Sequence, residues 1–153
     1  MRVTAKVEYA IRACVQLAAD EDDGSATAAQ LADKQGIPHK FLHAVLTDLK
    51  RARLVHSVRG PDGGYTLARP ATAISIADIF RAIDGPMLTV RDQGLSDLHY
   101  TGPAGPLLEL WMATRTSLRD VFEKTTLADV VANDLPAAVT ELASRYREDR
   151  RHP

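Results

Sequence analysis

The stretch from 37 to 69, IPHKFLHAVLTDLKRARLVHSVRGPDGGYTLAR, places a helical pattern directly before a hairpin pattern. Pro38 suits a first helical turn, where its missing N–H has no partner to lose. Phe41, Leu42, Val45, Leu46 and Leu49 recur at helical spacing and form the expected buried stripe. His39, Lys40, His43, Thr47, Lys50 and Arg51 fall on the opposite side. Leu54 to Val58 reads as a short strand, Gly60-Pro61-Asp62-Gly63-Gly64 as a turn, and Tyr65 to Ala68 as the return strand.

Immediately upstream, Thr27 and Gln30 have capping-box spacing and open a short helix, AAQLADKQ. Gly36 closes it in a position suited to a left-handed cap. Two helices joined by this tight turn form a helix-turn-helix, and the hairpin after them makes it winged. Further upstream, Val7, Ala10, Ile11, Cys14, Val15 and Ala18 mark one face of a first helix, which ends at the acidic turn Asp20 to Gly24.

Downstream, Ser75 caps the helix IADIFRAID, which stops at Gly85-Pro86. Residues 86–106 lose periodicity, and a loop of that length usually has a function or is disordered. A long amphipathic helix follows from about Leu107 to Glu123, with Leu107, Leu108, Trp111, Met112, Leu118, Val121 and Phe122. Thr126 caps LADVVA, and Val139, Leu142, Ala143 and Tyr146 pattern a last helix before the basic end Arg150-Arg151-His152. The expected fold is mainly α with a small β-hairpin wing. A winged helix-turn-helix at 1–86 leads through a sensor-like loop at 87–106 to a dimerisation helix and short helix at 107–133, then a helical tail at 134–153.

The composition sets limits on function. Net charge is −1 over 153 residues, so DNA affinity has to come from local charge. From Ile37 to Arg69 the bases are Lys40, Lys50, Arg51, Arg53, Arg59 and Arg69, against only Asp48 and Asp62. The single cysteine, Cys14, excludes an internal disulfide and a multi-cysteine zinc site. Charges at Arg2, Lys6, Glu8 and Arg12 interrupt the first helix, so neither a signal peptide nor a membrane span is expected, and the expected location is the cytoplasm.

A recognition helix reads bases through its N-terminal turns, which here carry His39, Lys40 and His43. Lysine donates to guanine O6 and N7, and histidine donates or accepts at base edges. Thr47 lies a turn further on, Lys50 and Arg51 are placed for phosphate, and Arg59 precedes the wing turn, where an arginine can enter a minor groove. His39 and His43 have the spacing of helical metal ligands, but Lys40 stands where a zinc protease needs glutamate, and no third ligand is evident. The Gly60–Gly64 run lacks the Lys-Ser/Thr ending of a phosphate loop. No nucleophile–base pair or cofactor fingerprint points to an enzyme.

The opening MRVTAKVEYAIRACVQLA, the segment LADKQGIPHKFLHAVLTDLKRARLVHSVRGPDGGYTLAR and ISIADIFRAIDGP together resemble the Rrf2 family of bacterial regulators. The resemblance runs from Met1 to about Pro86 and resumes more weakly over the long helix and TTLADVV. It implies a homodimeric winged-helix repressor or activator of double-stranded DNA, here expected to be a repressor, whose long helix pairs with its copy. The stripe Leu107, Trp111, Leu118 and Phe122 fits that pairing. DNA contacts are then expected from His39, Lys40, His43, Arg59, Gly63 and Gly64, with Arg2 and Thr4 near phosphate.

The sequence departs from the cluster-binding branches of the family. They place three cysteines after the GP, whereas this loop reads MLTVRDQGLSDLHYTGPAGP. Thiolates are the usual holders of iron–sulfur clusters, so no cluster, metal or other cofactor is expected. Glu8, which matches a carboxylate ligand position of some relatives, is read as structural or surface. Asp92, Asp97, His99 and Tyr100 offer oxygen and nitrogen groups for a small molecule or a hard metal ion, the regulator's effector being a small molecule, a redox signal or a protein, and Cys14 on an apolar helix face is expected to be inert. A second function class is a protein-interaction module whose winged helix docks a metabolic enzyme.

Overall fold

A computed structural model describes residues 1–149. The expectation for Arg150-Arg151-His152 falls outside those residues. Helix α1 (Ala5–Ala19) is followed by α2 (Ala28–Gln35), α3 (His39–Arg51), β1 (Val55–Val58), β2 (Gly64–Leu67), α4 (Ile76–Asp84), α5 (Leu107–Phe122), α6 (Leu127–Val131) and α7 (Ala137–Asp149).

Local chemistry sets the helix boundaries. The Thr27–Gln30 capping box closes reciprocally, and similar boxes at Ser75–Asp78 and Thr126–Asp129 start α4 and α6. Gly36 ends α2 at φ 61°, a conformation that costs glycine little. Pro38 takes the cap position with extended backbone, one residue before the helix proper. At the other end of α3, Arg53 adopts φ 58° and donates its N–H to the Lys50 carbonyl. It fills a left-handed position that glycine usually occupies.

One core joins the head. Leu42, Val45, Leu46 and Leu49 of α3 are buried with Ala10, Ala13, Cys14 and Leu17 of α1, Leu31 of α2 and Ile79 of α4. The first helix uses Ala13 and Leu17 where the sequence pointed to Ile11 and Val15, which are half-buried. Phe41 corrects the expected stripe. It lies on its flank, 47% exposed, and stacks on Tyr9 at 6.1 Å instead of entering the core.

The wing is an antiparallel pair with Val55 opposite Leu67 and Val58 opposite Gly64. A third segment joins it. Ala26 and Tyr65 exchange both backbone hydrogen bonds, at 3.0 and 2.7 Å. A Cβ on Gly64 would stand 2.5 Å from the Ala26 carbonyl oxygen, so only glycine admits this approach. The Ser25 hydroxyl also donates to the Asp62 carbonyl, tying the wing tip to the same linker.

The segment 87–106 is more structured than its composition suggests. It turns at Val90–Gln93 and makes short 3-10 turns at Leu95–Asp97 and Gly102–Ala104, while Met87, Leu95 and Leu98 are buried. Helix α5 has no buried residue and touches its own chain chiefly at α4 and the 95–97 turn.

Candidate nucleic-acid interface

Helix α3 carries the polar face that base reading requires. His39, Lys40, His43, Thr47, Lys50 and Arg51 are all exposed. Their side chains are restrained to different degrees. The His39 Nε2 lies 3.1 Å from Asp33 Oδ1 of α2, and Lys40 Nζ sits 4.9 Å from the centre of the Phe41 ring. The Thr47 hydroxyl donates to the His43 carbonyl at 2.9 Å. Arg51 approaches Asp48 at 3.3 Å, where Asp48 also accepts from Lys6. Among the described residues, Lys50, Arg53 and Arg59 form no ion pair. Arg53, beyond the end of α3, thus adds to the unpaired basic residues of this surface, where the sequence reading counted it only among the local charges.

Arg59 follows β1 and is exposed at the start of the wing turn. Gly63 and Gly64 have an intramolecular reason to be glycine. A Cβ at Gly63 would come within 2.7 Å of the Gly60 and Val58 carbonyl oxygens, and Gly64 abuts Ala26. Their smallness packs the wing, beyond any approach to DNA.

Arg2 is exposed ahead of α1. Thr4 is otherwise engaged. Its oxygen caps α1 by accepting from the Val7 N–H, and its hydroxyl donates to Asp84 at 2.9 Å. A carboxylate beside it disfavours a phosphate.

The expected dimer residues separate into two groups. Leu107 is exposed, and Trp111 and Leu118 are half-buried. Phe122 packs within its own chain, 6.1 Å from the Phe80 ring. Leu110, which the sequence reading did not single out, is 52% exposed and follows Leu107 by three residues on the same side of the helix. In the loop, Asp92, Asp97 and His99 are exposed, while the Tyr100 hydroxyl accepts from the Trp111 indole N–H at 3.0 Å. No group of three or more His, Cys, Asp or Glu side chains among the described residues is placed to hold a metal.

The family model Rrf2, described as an iron-dependent transcriptional regulator, matches residues 3–133. The chain belongs to the Rrf2 family. Regulator Rv1287 of Mycobacterium tuberculosis strain H37Rv, named as an HTH-type transcriptional regulator, is 53% identical over 99% of this chain and 96% of its own. IscR of Yersinia enterocolitica, also named as an HTH-type transcriptional regulator, is 32% identical over 99% of this chain and 90% of its own. Among solved structures, CymR, the global cysteine regulator of B. subtilis, superposes with a TM-score of 0.75 at 28% identity, covering 87% of this chain and 98% of CymR. IscR of T. potens gives 0.70 at 28% identity, covering 87% and 88%. This Rrf2 protein is thus a transcriptional regulator with a DNA-binding winged-helix fold, from a non-enzymatic class. No helix among its described residues is long and apolar enough to cross a membrane.

The iron named in the family description does not fit the donor set of this chain. Cys14 is the sole thiol and is fully buried in α1, and its burial pushes its pKa up to about 12. A cluster needs several accessible thiolates.

Proposed function

We propose that this Rrf2 protein acts as a homodimeric, sequence-specific repressor that works without an iron–sulfur cluster. The observation that carries the reading is the exposed basic surface of α3 and the wing, where Lys40, Lys50, Arg53 and Arg59 are exposed and form no ion pair among the described residues. His39, Lys40 and His43 read base edges, Thr47, Lys50, Arg51 and Arg53 orient the helix on phosphate, and Arg59 enters the neighbouring minor groove.

Helix α5 supports the dimer. Its Leu107, Leu110 and Met112 are 36, 52 and 54% exposed because the helix has little contact with its own chain, and exposed apolar side chains of this kind mark an interaction surface. Pairing α5 with its copy covers Leu107, Leu110, Trp111 and Leu118. It also sets two recognition helices at half-sites about 34 Å apart. Occupation of a promoter in this way blocks transcription.

Fluorescence anisotropy against the DNA upstream of its own gene and a scrambled duplex, over a salt series, tests the reading. Tight binding to the upstream DNA alone, with a steep salt slope from counterion release, is expected. Equal, weak binding to both duplexes at every salt concentration would remove sequence-specific regulation at that promoter.

A further inference from the structure

We infer that the junction of α4 and α5 is an effector site for a small anion, a phosphate or carboxylate carried on a short apolar body. The inference rests on the regulator reading above and names what that regulator senses. A hollow of about 260 Å³ lies there, lined by Arg81, Gly85, Pro86, Met87, Leu88, Arg115 and Arg119. Three of the lining residues are arginines, and no Asp or Glu among the described residues lines it. A second hollow of about 400 Å³, floored by Leu95 and Ser96 of the loop, shares Arg115 and Arg119.

The hydrogen-bond assignments leave donors to spare. Glu123 accepts from a terminal nitrogen of Arg81 and from Nε of Arg119 at 3.0 Å. Arg81 also reaches Asp78 at 3.8 Å. A guanidinium has five N–H donors, so the terminal fork of Arg119 is open to an incoming anion. Arg115, exposed and one helical turn before Arg119, has no ion pair among the described residues. A fork of this kind matches the two oxygens of a phosphate or carboxylate. Pro86, Met87 and Leu88 supply an apolar wall for the rest of the molecule.

The position gives such a ligand leverage. Arg81 belongs to α4, which packs on α1 and α3, while Arg115 and Arg119 belong to α5. An anion bridging them fixes the angle between the reading head and the helix proposed to pair in the dimer. The polar loop residues Asp92, Asp97 and His99 are not among the residues lining either hollow.

Trp111 is the chain's one tryptophan and lies one turn before Arg115 on α5, so its fluorescence reports on the site. Full-length, DNA-free protein is titrated with phenyl phosphate at constant ionic strength, with benzyl alcohol as the uncharged control. Saturable change with phenyl phosphate alone is expected, and Arg115→Gln should weaken it by about tenfold or more, the scale of one lost charge-assisted hydrogen bond. Arg115→Lys, which keeps the charge without the fork, should fall between. A thermal melt without ligand verifies that each variant is folded. No saturation, an equal response to benzyl alcohol, or unchanged affinity in folded Arg115→Gln would overturn the site. Because DNA is absent from the titration, a protein that binds DNA but not phenyl phosphate loses this inference alone. One that binds phenyl phosphate but shows no specific DNA binding keeps the anion site and loses the proposed sequence-specific repressor reading.

Discussion

The Lys6 ammonium lies 2.6 Å from the Asp48 carboxylate, joining the first turn of α1 to the last turn of α3 across 42 positions of chain. The hydrogen bond from Lys6, with added attraction from Arg51, holds the Asp48 carboxyl below its ordinary range. A carboxyl lowered in the folded state stabilises the fold above its unfolded pKa, about 3.9, and that contribution is lost as pH falls through the folded value. Asp48→Asn should therefore cost about 1 kcal/mol or less near neutrality, and the difference should vanish in acid. Urea melts of both proteins over a pH series read this directly. A gap that stays constant down to the acid limit would show that Asp48 ionisation contributes nothing to the fold.

Arg59 is exposed and has no ion pair among the described residues, so its substitution tests DNA contact with little folding penalty. Arg59→Ala should weaken specific binding by about 1–3 kcal/mol while leaving the melting temperature in place. Anisotropy with the upstream duplex checks it. Unchanged affinity would take the wing arginine out of the interface.

What the sequence made legible was local. The box at Thr27 and Gln30, the cap at Gly36 and the Gly60–Gly64 turn each act within a few residues, and together they define the winged head. Periodicity was less decisive at the edges of a stripe. Phe41 is apolar and adjacent to Leu42, yet it falls on the flank facing Tyr9. Phe122 carries the same helical signal as Leu118, because a stripe does not say whose surface will cover it. Ala26 adds one bridged residue to the wing, too little to leave a strand pattern. The arginines at 81, 115 and 119 meet only because α5 folds back on α4, which nothing in their spacing announces.

Gly64 is the position where the wing can be pried from its linker. An alanine Cβ there would meet the Ala26 carbonyl oxygen at 2.5 Å and the Thr27 nitrogen at 2.9 Å, both of them backbone atoms with little room to yield. Gly64→Ala should destabilise the head by about 1–3 kcal/mol, the usual cost of overpacking. It should also speed hydrogen exchange at the Ala26 and Tyr65 amides, which bond each other's carbonyls. Normal protection at both amides would contradict the close-approach role.

Cys14 is fully buried, and desolvation of its thiolate pushes its pKa up to about 12. At pH 8 the thiol stays protonated, and reaction with a disulfide reagent should require unfolding. Native protein should react slowly, at a rate that rises with added denaturant, and peroxide should leave DNA affinity unchanged. Rapid, stoichiometric labelling of native protein would reopen a redox role for this residue.

Leu107 and Leu110 sit three residues apart on α5 with solvent on their outer sides, and neither enters the core of its own chain. Glutamate at both positions should cost the monomer little, because no buried contact is lost. In a paired helix the same change places like charges in an apolar seam, where each unpaired carboxylate carries a desolvation penalty. The Leu107→Glu/Leu110→Glu protein should therefore run as a folded monomer by light scattering, with wild-type helical circular dichroism. Its affinity for a two-half-site duplex should fall well below that of the wild type, while binding to a single half-site changes little. A double variant that remains dimeric would place the dimer contact elsewhere than the exposed face of α5.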